Sequence, residues 1–207
     1  MEKILLVLLI GSLTDIHAQK PAEFIRQYHE HIDPLGKLDT IQVMVIQMKS
    51  EISAVINSNI YNKNRSMTCS YYSNGKAEFW DNTDGKPMNL ENFMPPSSEP
   101  KKNPIKACLN YISVDDEDSL SFRIVNDSIT VIEKKLKDET FFVYTFDNNT
   151  KNLLRIENNR SNSAQKFVSH TNFLSHQIVN GILVSKKVAY SNDFTEATLE
   201  YVSVEFR

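Results

Sequence analysis

Glycine is scarce in this chain, with five in 207 residues, and no two of them stand close together. A phosphate-cradling loop needs clustered glycines, because only a backbone without Cβ turns tightly enough to aim several N–H groups at one anion. Nucleotide-type loops are therefore excluded. Cysteine is scarcer still: Cys69 and Cys108 are the only two, which rules out Cys-x-x-Cys redox motifs and four-cysteine zinc sites. Neither sign of charge dominates, with 23 basic against 26 acidic residues and a formal net charge of -3. The basic residues are scattered among acids, so the stripe that a nucleic-acid binder presents is missing. No Gly-x-Ser-x-Gly elbow and no His-Glu-x-x-His occurs. Ser169-His170 and Ser175-His176 are adjacent pairs whose side chains alternate across a strand, which prevents a nucleophile–base contact. The reading is non-enzymatic, with no cofactor, no metal site and no catalytic residue.

Long apolar runs are also lacking, apart from one at the start. Lys3 supplies a positive n-region, Ile4 to Ile10 are seven consecutive apolar residues, and Ile16-His17-Ala18 ends on a small residue. That order is the grammar of a secretory signal peptide. Seven residues fall far short of the roughly 20 that cross a bilayer. Residues 1–18 are expected to be removed, leaving one exported, non-membrane-spanning domain over residues 19–207 that begins at Gln19. Hydrophobic content of 41% suits a single packed core at this length.

Pro21, Ala22 and Glu23 make a good helix start, with Pro tolerated and acid favoured in the first turn. Phe24, Ile25, Tyr28 and Ile32 then form one apolar stripe, and Asp33-Pro34 with Gly36 stops it. His29 and His31 point about 200° apart on such a helix and are read as solvent-facing. The remaining signal is strand. Leu38 to Met48 presents Ile41, Val43 and Val45 on one face and Met44, Ile46 and Met48 on the other, a strand expected mid-sheet with cover on both sides. Ile52 to Ile56 and Arg65 to Tyr72 are read as the second and third extended runs. Asn74-Gly75 turns into Ala77 to Trp80, and Asp81 to Gly85 reads as a turn, since its spacing misses the EF-hand pattern.

From about 87 to 110 periodicity dissolves under Pro95, Pro96, Pro100 and Pro104, a long loop of the kind that often carries function, with a short helix over Ile105 to Tyr111. Leu120 to Val125 and Ile129 to Leu136 form a hairpin. Phe141 to Phe146, Leu153 to Glu157, Gln165 to Phe173, Ile182 to Tyr190 and Thr195 to Phe206 follow as an antiparallel meander. In the last of these, Ala197, Leu199 and Tyr201 alternate on one face before Val202, Val204 and Phe206 take over the other, which places a β-bulge near Tyr201. Cys69 and Cys108 sit in a chain bound for an oxidising compartment, and two alternatives stand: a disulfide, or two buried thiols. Sequons at Asn64, Asn126, Asn148 and Asn159 would carry glycans only in a eukaryotic secretory pathway.

One helix after a leader, a run of strands, a loop-rich middle and a closing meander together resemble the outer-membrane lipoprotein-sorting (LolA/LolB-like) family of Gram-negative bacteria. Ala22 to Tyr28 and Gly36 to Ile41 are similar to that family's opening helix and its passage into the first strand. Asn74-Gly75-Lys76 with Trp80, Gly85 and Pro87 is similar to its first hairpin, and Tyr144 to Asp147 with Leu153-Leu154-Arg155 to a later one. Val179 to Ile182 and Val202-Ser203-Val204 complete the likeness, while residues 87–110 depart from it by being broken with proline. The resemblance implies an α+β fold in which a curved antiparallel sheet, an incomplete LolA-like half barrel, wraps around one or two helices.

It further implies a non-enzymatic periplasmic carrier or sensor of lipidated protein, acyl chains or another apolar ligand. An envelope protein-interaction or regulatory module without a cavity is the alternative, and a small secreted hydrolase or a secreted glycoprotein are more distant rivals. If there is a ligand cavity, its wall is expected at Met44, Ile46 and Met48, at Met67 and Tyr71, and at Phe142, Tyr144 and Phe146. These are large, adaptable side chains on the strand faces turned toward the helix, and the thioethers suit variable chains.

Overall fold

The computed structural model describes residues 21–56, 58–88, 103–113, 119–136, 140–161 and 166–207. The leader, most of the proline-broken loop and the acidic run Asp115 to Asp118 lie outside the described residues. The first element is helix α1, Pro21–Ile32, and its stripe Phe24, Ile25, Tyr28 and Ile32 is buried as the spacing requires. Strands β1 (Val43–Ile56), β2 (Asn59–Tyr72), β3 (Ala77–Asp81) and β4 (Lys86–Met88) follow, then a short helix α2, Pro104–Cys108. The rest of the described chain is strand: β5 (Ser119–Asn126), β6 (Ile129–Lys135), β7 (Phe141–Asp147), β8 (Leu153–Ser161), β9 (Lys166–Val179), β10 (Ile182–Asn192) and β11 (Thr195–Phe206).

All eleven strands belong to one antiparallel sheet, ordered β4-β3-β2-β1-β11-β10-β9-β8-β7-β6-β5. The order has two ends, so the sheet is open. Consecutive strands pair as hairpins from β1 to β4 and from β5 to β11, β1 lies against β11 at the seam between these two runs, and β4 and β5 form the two ends. The β9–β10 turn shows why the local sequence works: Asn180 (φ 52°) and Gly181 (φ 87°) both take positive φ, the requirement of a two-residue type I′ turn. Phe24, Tyr28, Ile105, Cys108 and the inward residues of the strands join in one core cluster, so both helices pack on the same face. Phe24 meets the ring of Phe146 edge-on at 5.1 Å, and Tyr28 does so at 5.0 Å.

Several expectations change. Leu38 to Thr40 is a 3-10 turn, and the first two extended runs are one fourteen-residue strand passing through Lys49, Ser50 and Glu51. Polar residues did not break it: Lys49 and Glu51 face out at alternate positions, and the small Ser50 between them is buried on the inner face. Strand β1 is central as expected, yet only the Met44, Ile46 and Met48 face is fully buried, whereas Val43 and Val45 are half-buried. His29 is not solvent-facing. Its ring stacks on Tyr111 at 3.6 Å and 11°, and His31 bonds the Asn152 side-chain oxygen at 2.9 Å. Both contacts come from the far end of the chain segment they anchor, which helical spacing cannot show.

Candidate ligand-binding site

Three strands place the eight expected wall residues. On β1 and β2 they are cross-strand partners, Met44 opposite Tyr71 and Met48 opposite Met67, with Ile46 opposite Cys69 between them. On β7, Phe142, Tyr144 and Phe146 occupy alternate positions, and all eight residues are no more than 3% exposed. The structure brings them to one face but not to one spot. Four strands separate β1 from β7 in the sheet, so the methionine group lies on the α2 side and the aromatic group beneath α1.

The two halves meet at the end of α2. Asn103 caps that helix, its side-chain oxygen accepting from the Ile105 and Lys106 amides at 3.1 Å each. At the other end Asn110 adopts φ 58°, and the Tyr111 amide donates back to the Lys106 carbonyl at 2.9 Å, a left-handed helix stop of the Schellman kind. This stop turns the Asn110 carbonyl toward Tyr28, whose hydroxyl donates to it at 3.3 Å, and lays Tyr111 on His29. Residues that sequence reasoning left out of the site therefore join its two halves: Tyr28, His29, Asn110 and Tyr111.

The interior is electrically quiet. Cys69 and Cys108 are free, buried thiols, and burial pushes each up to about 12. Burial likewise raises Tyr71 and Tyr201 well above the usual phenol range, with the neighbouring Cys108 adding to it. Burial drives His29 down to about 4, with the Lys106 charge adding a little and a hydrogen bond to Ile112 opposing it. Among the described residues one lysine is fully buried: Lys134 is 0% exposed, and its Nζ donates to the Ser113 carbonyl at 2.6 Å. His170 faces the other way and contacts Arg155 at 2.7 Å.

Two recesses stand out among the described residues. The larger, about 460 Å³, is lined by Glu51, Ser53, Asn62, Asn64, Glu196 and Thr198 among others. These positions alternate with the buried ones on their strands, which puts the recess on the outer, polar face. The smaller, about 10 Å³, lies between Tyr28, Ile32, Leu109 and His176. None of the eight expected residues lines either one.

No protein-family model and no curated protein matches the sequence. Solved structures do match in shape. A domain from Vibrio parahaemolyticus described as outer membrane lipoprotein-sorting is 11% identical, with 89% of this chain and 91% of that one covered at a TM-score of 0.49. A DUF1329 family protein from Desulfovibrio piger is 9% identical over 88% and 92%, at 0.48. A LolA superfamily protein from Nitrosomonas europaea is 9% identical over 90% and 93%, at 0.50. The last overlay carries the fold: an open antiparallel sheet with two helices on one face is LolA-like, as the sequence resemblance implied.

Proposed function

We propose that this protein is a non-enzymatic periplasmic carrier or sensor, a single exported domain over residues 19–207, which holds the acyl chains of a lipidated protein or another apolar ligand between sheet and helices. One observation carries the reading: eight large apolar side chains from three strands share a single buried face under helices of only twelve and five residues. Eleven strands at roughly 4.8 Å spacing would span about 48 Å if flat, whereas a helix with its side chains is roughly 10–12 Å across. Burying Met67 on β2 and Phe146 on β7 on one face is best met by a sheet curved around the helices, and a guest would enter by displacing the helix side chains now packed on that face. The LolA-like fold supports the same picture, and among the described residues no helix is long and apolar enough to cross a membrane.

A specific feature favours the competing reading of an envelope interaction module. Ile60 (72% exposed), Phe194 (61%) and Val55 gather at one tip of the sheet, where the Val55 amide donates to the Phe194 carbonyl at 2.8 Å. Titration with a fluorescent apolar probe, together with native mass spectrometry of gently purified protein, separates the two. Saturable probe binding or an adduct mass supports the carrier. A bare mass and no saturable binding removes it and promotes the interaction module.

A further inference from the structure

One end of the buried face turns polar. On β8, Asn158 is 6% exposed, on β9 Ser169 is 3% and Thr171 4%, and on β1 Ser50 is 2%. Asn158 stands opposite Ser169, and Thr171 stands opposite Ile156, two residues from Asn158 on the same side of β8. Phe142 and Tyr144 on β7 are the next residues along those two rows. Ser50 lies one inward position beyond Met48 on its strand. Asn158, Ser169 and Thr171 therefore adjoin the aromatic group of proposed wall residues, whereas Ser50 stands beside the methionine group with β11 and β10 between it and β9.

Among the described residues, three of these side chains have an oxygen with no hydrogen-bond partner: Asn158 Oδ1, Thr171 Oγ1 and Ser50 Oγ. Taking such an atom out of water without a partner is costly, and a valine or leucine in its place would not incur that cost. Buried polar groups are almost always satisfied, so an unpaired set on one face asks for a partner that arrives from outside the fold. The cation on the same row, Lys134, is already engaged by Ser113, and the free oxygens carry no charge. Their chemistry suits a neutral group that donates a hydrogen bond, such as a hydroxyl or an amide N–H. An isolated anionic head would be poorly solvated there.

We propose that Asn158 and Thr171 form a head-group subsite. It takes the neutral, hydrogen-bond-donating end of an amphiphile whose chain lies along Tyr144 and Phe146. The proposal rests on the carrier reading and sharpens it from any apolar ligand to a neutral hydroxyl- or amide-bearing one. Residues 158, 169 and 171 belong to the polar-looking part of the meander, so hydropathy alone conceals the subsite.

The test uses the full mature chain loaded with the fluorescent probe, displaced by tetradecanol or by its methyl ether, two ligands that differ in having a donor. Tetradecanol should displace the probe about fivefold more tightly than the ether, the scale of a neutral hydrogen bond. In the double variant Asn158→Leu/Thr171→Val the two should agree within about twofold. Equal displacement by both ligands in the unaltered protein overturns the subsite and leaves the carrier standing, and this comparison does not depend on whether the variant folds. A preference that survives in the folded double variant overturns it too. If the probe never binds, the carrier reading fails and the subsite falls with it.

Discussion

His29 gives the sharpest test of how the two helices are joined. It is held neutral at the α1–α2 junction, stacked on Tyr111 and brought down from 6.5 to about 4, chiefly by burial. A histidine whose folded value is depressed binds fewer protons in the folded state than in the unfolded one, so stability falls as pH drops through 6.5 and goes on falling until about 4. From these two values, acidifying from about pH 7 to about pH 5.5 removes about 1 kcal/mol, an upper figure because the ring keeps some contact with solvent. His176, lowered by burial and then by His31, acts in the same direction. Asp81 and Asp147 are also held low, but carboxylates with depressed values lose their contribution only below their unfolded value of 3.8, outside this window. The assay is urea denaturation followed by circular dichroism at the two pH values, for the wild type and for His29→Gln, which stays neutral throughout. The difference between the two pH values should shrink by about 1 kcal/mol in the variant. An identical pH dependence in both proteins would refute a buried, neutral His29.

Phe146 is 0% exposed and receives the rings of Phe24 and Tyr28, so Phe146→Ala should cost about 3–5 kcal/mol in urea unfolding. A loss below about 1 kcal/mol would mean that the space beside this ring is already open. Cys69 and Cys108, buried and pushed up to about 12, should resist a thiol reagent at pH 8 in the native protein and both react in urea. Rapid native labelling, or no thiol in urea, contradicts the free, buried pair. Asn103→Ala removes the side-chain acceptor that serves two α2 amides and should cost about 1 kcal/mol. Unchanged stability would show that α2 needs no cap.

The fold was legible wherever its signal was local. The stripe Phe24, Ile25, Tyr28 and Ile32 declared α1, and β7, β10 and β11 follow alternation or apolar runs that end at clear turns such as Asn180-Gly181. Strand β4 was not legible, because Lys86–Met88 is three residues long and contains a proline tolerated at a sheet edge. The site was legible as parity only. A period of two says that Met44, Ile46 and Met48 share a face. It does not say that four strands intervene before Phe146, nor that Tyr111 closes over His29. Thr171 and Asn158 were missed for a related reason: polar residues on alternate positions read as an outer face, and only the pairing of Ile156 with Thr171 shows that theirs is the inner one.

The seam between β1 and β11 shows how a local irregularity serves a long-range contact. Read by strict alternation, Leu199 and Tyr201 belong to one side of β11, and Val204 and Phe206 to the other. In the structure Tyr201 pairs with Met48, Val204 with Ile46 and Phe206 with Met44, and the register shifts opposite Gln47 and Met48. Val202 is the extra residue, 57% exposed, and by standing out of the ladder it returns the two halves of the strand to the same face. Without it, either Tyr201 or the pair Val204 and Phe206 would turn away from the methionines of β1. The bulge was visible in the sequence as a break in parity. Its purpose became visible only with β1 beside it, since a one-residue slip there exchanges the inner and outer faces of the strand that closes the methionine side of the core.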